Sequence, residues 1–149
     1  MSCTKRNIHF LAKIELFRGI KKILFSNMGL IPVNRRQKDH NALKLAYSYL
    51  NNEKVIGIFP EGTRSKSSND MGEFHHGSFR CAMNAKCPIL PVCMIDSFKF
   101  LDQKGSRHLN VQMHYLKPIM PEEFAGMKTP QIAAMVKERL QQCINEGAR

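Results

Sequence analysis

A short apolar run that stops at a proline, followed by a turn dense in polar groups, constrains this chain more than any other stretch. The run is Val55-Ile56-Gly57-Ile58-Phe59 and the turn is Pro60-Glu61-Gly62-Thr63-Arg64-Ser65. An apolar stretch this short, bounded by Pro and Gly, predicts a buried strand over Lys54 to Phe59. Pro60 has no N–H to give to a sheet, so the strand should end there. Gly62 permits a positive φ or a close approach of backbone to a ligand. Arg64 presents a planar fork of donors that fits a phosphate. A strand that delivers polar groups to a loop at its carboxyl end is the usual site geometry of an open α/β sheet. The plain alternative is a structural turn held by an ion pair between Glu61 and Arg64. A P-loop is excluded, because no GxxxxGK[ST] occurs.

Upstream, Ile8 to Ala12 predicts a short strand. From Glu15 the period changes: Leu16, Phe17, Ile20, Ile23 and Leu24 recur at helical spacing, with Arg18, Lys21 and Lys22 opposite. Such a basic amphipathic helix covers a sheet or lies in a membrane interface. Gly29 suits the end of that helix. Leu30 to Val33 predicts an edge strand, given Pro32. Asp39 to Asn51 predicts a helix with Ala42, Leu45, Ala46, Tyr49 and Leu50 inward and Asp39 or Asn41 as its cap.

Downstream, Lys66 to Asp70 is a polar loop. A helix follows Glu73 to Ser78, with Phe79, Ala82 and Met83 buried. His75 and His76 are adjacent; solvent-facing imidazoles are the expectation, with a metal site including Cys81 and Cys87, or a catalytic base, as the alternatives. Pro88 to Ile95 is nearly all apolar and predicts a strand buried on both faces. Leu109, Val111, Met113 and Tyr115 alternate with polar residues, which predicts a half-exposed antiparallel edge strand. Thr129-Pro130 opens a last helix as N-cap and first helical residue, with Ile132, Val136, Leu140 and Ile144 on one face.

The balance of 23 basic against 12 acidic residues gives a formal charge of +11 on 149 residues, which favours an anionic partner. With 43% hydrophobic residues the chain is long and apolar enough for one globular domain. The five cysteines form no CxxC pair, and their spacing fits a reducing compartment better than a disulfide framework. There is no apolar run of the roughly 18 residues that a membrane span needs. A nucleic-acid-binding reading is disfavoured, since aromatics are 8% and no RNP or zinc-finger pattern occurs.

Phe59-Pro60-Glu61-Gly62-Thr63-Arg64-Ser65 resembles the third signature block of the glycerolipid acyltransferases, the family of 1-acylglycerol-3-phosphate acyltransferase. Gly29-Leu30-Ile31-Pro32-Val33-Asn34-Arg35 resembles the second block, Ala12 to Leu16 the segment before it, and Pro88 to Ile95 the fourth. His76-Gly77 loosely matches a basic residue and glycine that follow the third block. The resemblance runs from about Asn7 to Arg149. It implies a mixed, mostly parallel sheet flanked by helices, as in the glycerol-3-phosphate acyltransferase-like fold, lacking its N-terminal part and forming a single incomplete domain over 1–149. It implies transfer of an acyl chain from acyl-CoA or acyl carrier protein to the sn-2 hydroxyl of lysophosphatidate, with the acyl donor as co-substrate and no other cofactor and no metal. Lys13, Arg35 and Arg64 would hold the acceptor phosphate, Glu61 would orient Arg64 or the glycerol, and Gly62 and Thr63 would line the substrate. A peripheral place on the cytoplasmic face of an anionic membrane goes with that activity.

One block has no counterpart. The family's first block is HxxxxD, whose histidine takes the acceptor's proton while the aspartate orients the imidazole. Five residues after this chain's six histidines stand Ile14, Leu45, Arg80, Cys81, Met113 and Ile119, none of them Asp. The expectation is an N-terminally truncated member without catalytic residues, inactive by itself. Its alternative role is that of a non-catalytic remnant that binds anionic lipid.

Overall fold

The computed structural model describes residues 6–17, 27–34, 39–63, 68–99 and 110–147. The chain divides into two compact units, Met1–Phe59 and Pro60–Arg149.

The first unit is a parallel sheet with one described helix. Strand β1 is Ile8–Lys13, β2 is Ile31–Val33 and β3 is Val55–Gly57, in the order β2-β1-β3. The sheet is staggered: β1 pairs its first half with β3 (Ile8 with Val55, Phe10 with Gly57) and its second half with β2 (Leu11 with Ile31, Lys13 with Val33). The edge position expected of β2 from Pro32 is found. A 3-10 turn, Ile14–Phe17, follows β1. The amphipathic segment expected beyond it falls on residues 18–26, outside the described residues. Gly29 has φ +70, the left-handed conformation expected at a helix end, and its carbonyl accepts a hydrogen bond from His9 Nδ1 at 2.8 Å. A carbonyl can only accept, so Nδ1 carries the proton.

Helix α1, His40–Asn51, joins β2 to β3. Its N-cap is Asp39, not Asn41. Asp39 Oδ1 accepts from the N–H of Asn41 and Ala42 at 3.1 and 2.9 Å. Ala42 and Ala46 are buried, and their small side chains let the helix lie close to β2 and β3. Leu45, expected inward, is exposed; Leu43 is half-buried instead. At 100° per residue, position 43 falls about 20° beyond one edge of the arc holding Ala42, Ala46, Tyr49 and Leu50, and position 45 about 40° beyond the other.

Strand β3 is shorter and less buried than expected from its sequence. Its residues are half-buried and Phe59 is 56% exposed. The reason is its place at the edge of the three-stranded sheet, where Gly57 contributes no side chain. The Phe10 ring occupies that space and stacks on Phe59, centroids 5.7 Å apart at 16°.

The second unit contains a 3-10 turn, His76–Phe79, running into α2, Arg80–Ala85. Then come β4, Val92–Ile95; β5, Gln112–Tyr115; a 3-10 turn, Pro121–Phe124; and α3, Thr129–Gly147. The antiparallel pairing expected of β5 is found, with Val92 opposite Tyr115 and Ile95 opposite Gln112. Helix α3 packs on β4 through Ile132, Val136 and Leu140, as its spacing predicts. Ile95, Ile119, Phe124 and Phe79 complete the core. Phe79, at the end of the 3-10 turn, and Cys81, on α2, are buried, while Ala82 and Met83 are only partly so.

Three expectations are corrected here. Strand β4 is not buried on both faces: Cys93 and Ile95 are, whereas Val92 and Met94 are each 36% exposed. Among the described residues α3 covers one face of the two-stranded sheet and no helix covers the other. Strand β5 turns its apolar side outward, with Met113 and Tyr115 49% and 51% exposed. Register explains this, because Met113 and Tyr115 stand opposite Met94 and Val92 on the uncovered face. Helix α3 begins one residue earlier than expected. The Ile132 N–H bonds the Lys128 carbonyl, and Gln131 Oε1 accepts from the Lys128 N–H at 2.8 Å, so Lys128 rather than Thr129 is the cap.

Candidate functional site

In a parallel sheet all carboxyl ends face one edge, and loops there carry the chemistry. The carboxyl end of β1 is Lys13, which is exposed and in register with Val33 of β2. Asn34 follows Val33. Its N–H bonds Asp39 Oδ2 at 2.8 Å, so the residue that caps α1 also fixes the chain just before Arg35. These bonds hold the Asp39 carboxyl below its ordinary range, the Asn34 N–H contributing most and the Ala42 N–H next. Arg35 itself lies outside the described residues.

The second unit opens with the turn that the sequence singles out. Gly62 has φ +67, a left-handed conformation that costs glycine nothing. Thr63 is exposed, and Glu61 and Gly62 are half-buried. Glu61 Oε2 accepts the Gly72 N–H at 2.9 Å, and the His75 N–H bonds the Pro60 carbonyl at 2.8 Å. The chain from Pro60 to His75 is thus a loop closed at its base by two backbone donors. Gly72 suits its place: a Cβ there would stand 3.2 Å from Glu61 Oε2. Arg64 lies outside the described residues.

A second tie was not foreseen from sequence. Asn69 and Asp96 exchange two hydrogen bonds, Asn69 Nδ2 to Asp96 Oδ1 at 3.1 Å and the Asp96 N–H to Asn69 Oδ1 at 2.7 Å. Lys99 Nζ lies 2.7 Å from Asp96 Oδ2. Lys99 and then Asn69 hold the Asp96 carboxyl below its ordinary range. No local pattern announces a pair 27 residues apart.

His75 and His76 are exposed, and no group of three His, Cys, Asp or Glu side chains among the described residues could hold a metal. The thiols of Cys81, Cys87 and Cys93 are not activated. Burial pushes Cys81 and Cys87 up, and Cys93 is pushed up to about 12 by burial and then by its hydrogen bond with Cys143. The first unit offers an exposed lysine at the carboxyl end of β1; the second offers a carboxylate tied to backbone, a left-handed glycine and an exposed hydroxyl. Neither set contains a described nucleophile–base pair.

The family described as Acyltransferase matches residues 1–95. The 1-acyl-sn-glycerol-3-phosphate acyltransferase of Bacillus subtilis is 30% identical over 147 residues, covering 93% of this chain and 68% of that protein. The probable 1-acyl-sn-glycerol-3-phosphate acyltransferase of Mycoplasma genitalium is 32% identical over 139 residues, 86% of this chain and 52% of that one. The Escherichia coli 1-acyl-sn-glycerol-3-phosphate acyltransferase is 28% identical over 118 residues, 78% and 48% respectively. The chain therefore spans about half to two-thirds of the length of these relatives. Among solved structures, the 1-acyl-sn-glycerophosphate acyltransferase PlsC of Thermotoga maritima is similar in fold, with a TM-score of 0.73 at 24% identity over 96% of this chain and 58% of that one.

Proposed function

The chain belongs to the acyltransferase family, and from that premise we propose that it carries the acceptor-binding part of a 1-acylglycerol-3-phosphate acyltransferase. The reaction of such an enzyme transfers an acyl chain from the thioester of acyl-CoA or acyl carrier protein to the sn-2 hydroxyl of lysophosphatidate. The hydroxyl oxygen bonds the acyl carbon, the carbon–sulfur bond breaks, and the hydroxyl proton passes by way of a base to the leaving thiolate. The products are phosphatidate and the free thiol.

The observation that carries this reading is the seven-residue block Phe59 to Ser65, which begins two residues after the end of β3 and whose Glu61 is anchored by backbone. Lys13, Arg35 and Arg64 are assigned to the acceptor's phosphate, Arg64 through its bidentate fork. Gly62 lets the main chain approach the ligand, Thr63 offers a hydroxyl, and Glu61 orients Arg64 or the glycerol. The net charge of +11 favours this anionic substrate and an anionic membrane surface, at whose cytoplasmic face the chain would act peripherally. No described helix is long and apolar enough to cross a membrane.

A second reading is favoured by one observation, that no histidine in these residues has Asp five positions on. On that reading the chain binds anionic lipid without turning it over. Both readings require recognition of the phosphate. Isothermal titration with a short-chain lysophosphatidate, beside the monoacylglycerol of the same chain length, tests it. The phosphate-bearing ligand is expected to bind tighter by about 1.5–3 kcal/mol, the contribution of a hydrogen bond to a charged group. Equal affinity for the two would overturn the assignment.

A further inference from the structure

The loop that begins at Pro60 is tied down three times within the second unit. Two ties close its base, Pro60 to His75 and Glu61 to Gly72. The third holds Asn69, on the returning limb, to Asp96, the residue after β4. Asp96 has φ +65, a conformation that L-residues other than Asn and Asp rarely adopt. Strained backbone of this kind persists where neighbouring interactions determine it, and here they are visible. Asn69 Oδ1 accepts from the Asp96 N–H, Asn69 Nδ2 donates to its carboxylate, and Lys99 takes the other oxygen. The carboxylate can only accept and the N–H only donate, so the amide of Asn69 has one productive orientation.

We propose that Asn69 and Asp96 are positioning residues, a clasp that fixes the returning limb of the loop and, through the Gly72 N–H, the carboxylate of Glu61 and its turn. Its functional consequence rests on the reading above, that this turn meets the acceptor. The chain of contacts is short. Asn69 is three residues before Gly72, and Gly72 is the donor to Glu61. Were the limb free to drift, Glu61 would lose its backbone partner and the turn one of the two ties at its base. Strand β4, whose Cys93 and Ile95 are buried against α3, supplies the rigid end of the clasp.

The donor–acceptor pattern of the clasp can be reversed without moving an atom, and this provides the test. Asn69→Asp sets two carboxylates face to face. Asp96→Asn keeps both hydrogen bonds and loses only the Lys99 pairing. The double variant restores the pair, with the new amide at position 96 donating to the new carboxylate at position 69. Hydrogen exchange of the Gly72 and His75 amides, on the full chain, reads the loop directly. Asn69→Asp is expected to speed both by roughly tenfold, Asp96→Asn to leave them nearly unchanged, and the double variant to return them to the wild-type rate. Titration with short-chain lysophosphatidate should follow the same order, with affinity lost in Asn69→Asp and recovered in the double variant. Unchanged exchange in Asn69→Asp, or no recovery in the double variant, would overturn the clasp. Exchange that responds while affinity stays constant in every variant would reduce it to a structural tie and overturn the positioning role. A wild-type chain that binds no lysophosphatidate would defeat the acceptor reading alone, since the exchange rates would still decide whether the clasp holds the turn.

Discussion

An assay of these 149 residues with acyl-CoA and lysophosphatidate is expected to give no acyl transfer above the protein-free rate. Attack of a hydroxyl on a thioester needs its proton removed as the bond forms, and a positioned base contributes about 10²–10⁴-fold to such a step. No histidine of the chain has the aspartate partner at the family's spacing. The described histidines do not form an alternative dyad. His9 gives its Nδ1 proton to the Gly29 carbonyl and packs edge-on against Tyr49, centroids 4.6 Å apart. His114 Nε2 is engaged with Gln112 Oε1 at 3.1 Å. His75 and His76 are exposed, without an orienting carboxylate among the described residues. Turnover would contradict this expectation, and its abolition by His75→Ala or His76→Ala would locate a replacement base.

Ile132→Ala is expected to destabilise the chain by about 2–5 kcal/mol, the range for truncating a fully buried aliphatic side chain. Ile132 is 0% exposed at the first turn of α3, in one cluster with Ile119, Ile95 and Phe124. Its removal forfeits the transfer energy of the lost carbons and leaves a cavity that a helix held along Val136 and Leu140 cannot close. Breaking the Glu123–Arg139 ion pair provides the contrast. At 2.7 Å but with both side chains about a third exposed, that pair should contribute only about 0.2–1 kcal/mol. Urea unfolding followed by circular dichroism measures both. A loss below about 1 kcal/mol for Ile132→Ala would mean that α3 is not seated on β4 as described.

Features that depend on neighbours in the chain were legible in the sequence. The 3.6 period gave the buried face of α3, the chemistry of Asp39 gave a cap, and Pro32 marked an edge strand. Features set by distant contacts were not. Composition says that Val92 to Ile95 can be buried, but only the register with β5 and the position of α3 decide that Val92, Met94, Met113 and Tyr115 share the uncovered face. The choice between Thr129 and Lys128 as the cap of α3 turned on a bond from the Lys128 N–H to the Gln131 side chain, which no propensity encodes. At the site, the block from Phe59 to Ser65 stood out because its residues are consecutive. Gly72, Asn69 and Asp96 support it from 11 residues away and across a gap of 27, where single-sequence reasoning finds no period or motif to follow. Arg35, Arg64 and the basic segment beyond Phe17 lie outside the described residues.

The guanidinium after the Pro-Glu-Gly turn is the group proposed to meet the phosphate. Arg64→Ala and Arg64→Lys, each confirmed as folded by circular dichroism, should be titrated calorimetrically with short-chain lysophosphatidate. Lysine keeps the charge and loses the fork, so the two variants separate electrostatic attraction from bidentate geometry. Arg64→Ala is expected to weaken binding by about 1.5–3 kcal/mol, with Arg64→Lys between it and the wild type. Wild-type affinity in both variants would contradict the phosphate assignment and leave Pro60 to Ser65 as a structural turn.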